Sequence, residues 1–236
     1  MIKVDLKSRS IHLMGSTITI SILHENADSL LDQVFSLLRL YEKRFSANDN
    51  SSELMQINHA AGKHAVCVHP DLFELIELGK KHSLAPDSHL NITLGPLVQT
   101  WRIGFADAKV PSPKEIKQAL ALTDPECIEL DAAASSVFLT MEGMKIDLGA
   151  LAKGYIADKI AAFLRRQGVT SALINLGGNI LTIGLNEKNN RYWWIGIQNP
   201  TLPRGNNLAL LSVQNQSVVT SGIYERKLQV DGRVYH

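Results

Sequence analysis

Cysteine is scarce in this chain, and long apolar runs and an excess of either charge are absent. The only two cysteines, Cys67 and Cys127, lie far apart without a partner motif. That argues against a disulfide framework or a zinc site. Each sits in a short apolar run, AVCV or ECIEL, which predicts buried thiols. No apolar run approaches the roughly 18 residues that a spanning helix needs. With 24 Lys and Arg against 23 Asp and Glu, the net charge is +1, so nothing marks a nucleic-acid or membrane surface. Repeats, low-complexity tracts and linkers are missing too. The opening MIKVDLKSRS has no h-region and no lipidation cysteine. The expectation is a bacterial protein that is cytoplasmic if Met1 is native, or attached to the cell envelope if a leader was removed.

What is present is ordinary globular material: 45% hydrophobic and 20% charged over 236 residues. This suffices for one large domain or two small ones. Ile11 to Leu23 reads as one Ile- and Thr-rich strand, interrupted at Met14-Gly15 by a bulge or a close backbone approach. Core packing is the plain role for Met14. Ala27 to Phe45 predicts an amphipathic helix with Leu30, Leu31, Val34, Leu37, Leu38 and Tyr41 as its stripe. A polar loop then leads to a short helix capped by Ser51 or Ser52. Val66 to Val68 is a short strand, and Pro70 to His82 a helix with Pro in its first turn. Gly95-Pro96 starts another helix, with Trp101 in the core. Ser112, Pro113 and Glu115 spell a capping box. Ile128–Leu130, Val137–Thr140 and Lys145–Asp147 read as strands. Five β-like runs follow residue 178, with loops at 186–190 and 200–207.

The most informative stretch is Lys145 to Gly178. Its spacing predicts a helix from about Asp147–Gly149 to Gln167, with Arg165, Arg166 and Gly168 at its end. The first turn would combine the carboxylate of Asp147, the joint of Gly149 and the cation of Lys153. A helix N-terminus is an anion site; an N-cap Asp with a solvated Lys is the simpler alternative. Gly177-Gly178 joins two apolar strands, either as a plain hairpin turn or as a nest of N–H groups against a pyrophosphate.

Taken together, DLGALAKGYIAD and INLGGNILTIG resemble the core signature of the ApbE family, the FAD:protein FMN transferases, formerly called thiamine-biosynthesis lipoproteins. Further blocks lie in the family's order: the strand with Met14-Gly15-Ser16, where Thr is usual in place of Ser; the loop leading to SEL and IN; LNITLGPLVQTWRIGF; and Thr220-Ser221-Gly222 through Tyr224 to Arg226. The likeness runs from about Ile11 to His236. It implies an α+β fold of mixed, largely antiparallel sheets with helices on their faces. It also implies one domain of two intertwined halves over 1–236, with FAD in the cleft between them. By the same resemblance, Met14, Asn48, His89, Leu90, Asn91, Asp147 and Lys153 touch FAD, and the Ala150 carbonyl is a ligand of Mg2+. Asn48 stands where the family often has an aromatic residue, and Leu90-Asn91 where Phe-Asp is common. Asn91 can read a ring edge, or it and Thr93 can satisfy turn backbone.

The implied activity is covalent attachment of the FMN half of FAD to a Ser or Thr of a target flavoprotein, with release of AMP. Alternatives are an FAD pyrophosphatase giving free FMN and AMP, and a non-catalytic flavin-binding or scaffold protein. The family's catalytic His and the Asp and Thr magnesium ligands lie in a segment that would follow His236. The expectation is therefore a chain cut short that binds flavin and transfers FMN poorly by itself. No residue of 1–236 is assigned as catalytic.

Overall fold

The structure, a computed structural model, describes residues 5–188, 190–203, 205–222 and 226–236. Its first apolar run is not one bulged strand but a hairpin. Strands β1 (Leu6–Leu13) and β2 (Ser16–Leu23) pair antiparallel from Leu6↔Leu23 to Leu13↔Ser16. Met14 and Gly15 form the turn, with φ of 53° and 65°. Two residues of positive φ let a two-residue turn follow the right-handed twist of its strands. Met14 pays no attention to the usual preference for Gly or Asn there, so the sequence reads as a bulge.

Helix α1 (Ala27–Phe45) forms as its periodicity predicts, with Leu30, Leu31, Val34, Leu38 and Tyr41 buried. Helix α2 (Glu53–Ala60) is capped by Ser52, whose hydroxyl accepts from Met55 N at 3.0 Å. Next come β3 (Val66–Cys67), α3 (Pro70–Ser83) and α4 (Gly95–Trp101). Helix α5 (Pro113–Leu120) carries the expected capping box between Ser112 and Glu115. Strands β4 (Ile128–Asp131) and β5 (Ser136–Leu139) precede α6 (Ala152–Arg166). The C-terminal part is β6 (Ser171–Leu176), β7 (Asn179–Ile183), β8 (Trp193–Gln198), β9 (Asn207–Val213), β10 (Ser217–Val219), β11 (Leu228–Val230) and β12 (Arg233–Tyr235). The fold is α+β with antiparallel sheets, as expected.

These elements gather into two compact units, each drawn from two stretches of chain. One holds Met1–Glu42 with Lys153–Gly222, the other Lys43–Ala152 with Ile223–His236. In the first, a five-stranded antiparallel sheet runs β1-β2-β6-β7-β10. Ile18, Ile20, Ile22, Ala172, Ile174 and Leu176 form its fully buried face. The helical residues Leu31, Val34, Ile156, Ile160 and Leu164 are equally buried. Each large aliphatic side chain so removed from water contributes about 1.5–3 kcal/mol. On the other face, Leu173, Ile180, Val218 and Leu6 pack against Trp193, Ile195 and Val213 of the β8–β9 hairpin.

The second unit contains α2 to α5, the three-stranded sheet β3-β5-β4 and the β11–β12 hairpin. Four expectations need correction here. Lys145–Asp147 is not a strand. Its backbone bonds go to a side chain and a loop instead: Ile146 N and O to Asn58, and Asp147 N to Ile92 O. Regular helix begins at Ala152, not near Asp147–Gly149, because the chain first makes a separate turn in which Leu151 N donates to Leu148 O. The cysteines are not buried. Cys67 is exposed on a two-residue strand and Cys127 is half-buried. Trp101 is half-buried, its ring 5.2 Å from that of Tyr235.

Candidate functional site

Antiparallel pairing of β2 with β6 sets Ile18 opposite Leu176. The start of β2 therefore lies beside the end of β6, and the Met14-Gly15 and Gly177-Gly178 turns share one end of the sheet. Gly177 and Gly178 have φ of 64° and 92°, a second turn of the left-handed two-residue kind. The head of α6 joins them, because Lys153 Nζ donates to Ser16 Oγ at 3.0 Å. Gly177 lies directly over this pair. A Cβ there would sit 2.5 Å from Ser16 Cβ and 3.0 Å from Lys153 Nζ, and would also overlap Ser16 Oγ. Gly178 N donates to Asn175 Oδ1 at 2.8 Å, so this N–H is committed within the hairpin rather than to a nest. Met14 is half-buried, and its N–H donates to Glu42 Oε1 at 2.7 Å. One sheet end thus assembles a cation, two turns without bulky backbone and a thioether side chain. A cation beside tightly turned backbone can hold a phosphate group.

The remaining sequence-derived residues belong to the second unit. Asp147 Oδ1 accepts from Gly149 N at 2.7 Å, an Asx turn ahead of α6 rather than an N-cap. The segment Leu90 to Gly95 lies against this turn. Asp147 N donates to Ile92 O at 2.8 Å, and a Cβ on Gly95 would come within 2.6 Å of Lys145 Cβ and O. Asn91 spends its amide locally. Oδ1 accepts from Thr93 N at 2.8 Å and Thr93 Oγ1 at 2.6 Å, and Nδ2 donates to Thr123 O at 2.7 Å. Leu90 is half-buried, while His89, Ala150 and Asn48 are exposed. The loop bearing Asn48 is ordered by Ser46 Oγ, which accepts from Asn48 N and Asp49 N at 3.2 Å each. In that loop, the Ser51 N–H and hydroxyl hold the Asp49 carboxyl below its usual range.

Two contributors escaped the sequence reading. Glu42 lies beside the apolar stripe of α1 and carries no motif. Asn58, 6% exposed, clamps Ile146 from both sides, with Ile146 N donating to Oδ1 at 2.8 Å and Nδ2 donating to Ile146 O at 3.0 Å. Nothing in LMQINHA, where Gln56 and His59 are polar too, singles it out.

Magnesium favours about six oxygen ligands in an octahedron. Among the described residues, no three His, Cys, Asp or Glu side chains converge. Asp147 and Ala150 share one turn, but Asp147 Oδ1 is already bonded to Gly149 N. The described residues do not complete a magnesium site.

Residues 14–236 match the profile of the ApbE family. The chain is 44% identical over 229 residues to an FAD:protein FMN transferase of Klebsiella pneumoniae, covering 97% of this chain and 70% of that protein. It is 38% identical over 218 residues to one of Treponema pallidum, covering 87% of this chain and 60% of that protein. The crystal structure of the ApbE protein of Thermotoga maritima superimposes with a TM-score of 0.88 at 26% identity, covering 98% of this chain and 75% of that one. The chain belongs to the ApbE family.

Proposed function

We propose that this protein is an FAD:protein FMN transferase, with FAD as substrate and a Ser or Thr of a flavoprotein as acceptor. What supports the reading most is the 44% identity to the Klebsiella enzyme of that name. We propose Met14, Asn48, His89, Leu90, Asn91, Asp147 and Lys153 as FAD contacts, within one ApbE-like domain of two intertwined halves. Magnesium dependence, with the Ala150 carbonyl as one ligand, is part of the same proposal.

In this reaction the acceptor hydroxyl oxygen bonds to the phosphorus of the FMN half. The bond from that phosphorus to the bridging oxygen breaks, AMP leaves with the electron pair, and the hydroxyl proton passes to a base. Catalysis of phosphoryl transfer is mostly positioning and charge neutralisation. Lys153 brings a positive charge to the phosphates, held in place by Ser16 Oγ at 3.0 Å. Gly177 lets the backbone close over the Ser16–Lys153 pair, since any side chain there would collide with Ser16.

The test is incubation of the protein with FAD, Mg2+ and an acceptor flavoprotein. AMP release matched by FMN covalently bound to the acceptor is expected. Free FMN with AMP would point to a pyrophosphatase, and no FAD binding would overturn the reading.

A further inference from the structure

We propose that Glu42 is a positioning residue for FAD. Its carboxylate holds the Met14-Gly15 turn in the conformation that presents the Met14 side chain. The consequence for FAD rests on the flavin reading above; the hold on the turn does not.

Met14 has φ of 53°, a region that costs a residue with a Cβ and that Gly or Asn normally fills. In a two-residue hairpin turn, the strand ladder bonds the flanking residues, here Leu13 and Ser16. It leaves the first turn N–H without a ladder partner. Glu42 supplies that partner from α1, 28 positions along the chain, with Oε1 accepting from Met14 N at 2.7 Å. A carboxylate acceptor makes this a charge-assisted bond, the stronger kind.

The position of Glu42 argues against a merely local role. It lies in the last turn of α1, where the helix dipole disfavours a negative charge and favours Lys43 and Arg44. Arg44 does not account for it, since that guanidinium lies 3.8 Å from Glu53 and 3.5 Å from Asp71. A residue that opposes its own helix and engages a turn of unfavourable φ marks a functional position rather than a helix-stabilising one. Its charge also occupies the Met14 N–H, so an incoming phosphate is directed to Lys153 and not to this turn.

The experiment compares wild type, Glu42→Ala and Glu42→Gln. Gln keeps an oxygen acceptor and loses the charge. Amide exchange of Met14, Ile18 and Ile20 is followed by NMR without ligand, and FAD affinity is measured by fluorescence. Glu42→Ala is expected to speed Met14 exchange about tenfold and to weaken FAD binding about tenfold, with Ile18 and Ile20 unchanged. Glu42→Gln is expected to restore most of both. Unchanged Met14 exchange in Glu42→Ala, equal acceleration at Ile18 and Ile20, or no rescue by Gln overturns the proposal. Altered exchange with unaltered FAD affinity overturns its link to the ligand. If wild type itself binds no FAD, the flavin reading fails, and the exchange data still judge the hold on the turn.

Discussion

The Lys153 ammonium donates to the Ser16 hydroxyl at 3.0 Å, and Gly177 closes over both. This contact ties the head of α6 to the start of β2. It makes Gly177 irreplaceable on two counts, its φ of 64° and the absent space for a Cβ. Gly177→Ala should cost about 1–2 kcal/mol for the backbone alone, and more for the overlap. Adding Ser16→Gly should recover only the overlap part. Urea unfolding of the single and double variants checks this, and equal stability of Gly177→Ala and wild type would contradict it.

Removing the charge of Lys153 should act on ligand binding. A hydrogen bond to a charged group contributes about 1.5–3 kcal/mol, so Lys153→Met is expected to weaken FAD binding about tenfold to a hundredfold. Calorimetric titration measures it, and an unchanged affinity would remove Lys153 from the phosphate contacts.

Asn58 is a stability prediction with a reach beyond itself. Asn58→Ala leaves Ile146 N and O buried without their partner, since Ile146 is fully buried. Each unpaired group costs about 1–3 kcal/mol. Denaturant unfolding should show a loss of at least about 2 kcal/mol, and the Asp147 turn next to Ile146 should exchange its amides faster.

Glu115 offers a pH test. Its hydrogen bond from Lys109, followed by those from Ser112 N and Oγ, lowers its pKa from 4.5 to about 2. The folded value lies below the unfolded one, so the stabilisation is complete above about pH 4.5 and is lost as pH falls through about 2. Wild type should therefore exceed Glu115→Gln in urea midpoint at pH 6, and the gap should close towards pH 2. A gap independent of pH would refute the assignment.

Trp193 and Trp194 are neighbours with opposite surroundings, 4% and 60% exposed. Trp193→Ala should cost about 3–5 kcal/mol, because it empties the cluster with Ile195 and Val213. Trp194→Ser should stay within about 0.5 kcal/mol of wild type. Thermal unfolding distinguishes them.

Local chemistry made much of this fold legible. The stripe of α1 and the capping box of α5 are short-range patterns, and both elements form where those patterns place them. The family signature is likewise a matter of residues near one another in sequence. The Met14-Gly15 hairpin was hidden because the left-handed conformation of Met14 has no cue in its own side chain. The early helix start misread Leu148 and Leu151, whose helical spacing serves a separate turn.

By itself, then, the sequence determined the family and the helices with strong periodicity or caps. These depend on interactions within a few residues. Only the tertiary structure decided that Glu42 reaches Met14, that Lys153 reaches Ser16 beneath Gly177, and that Asn58 holds Ile146. The last of these joins residues 88 positions apart. Such partners are chosen by strand register and helix placement, which no local pattern encodes.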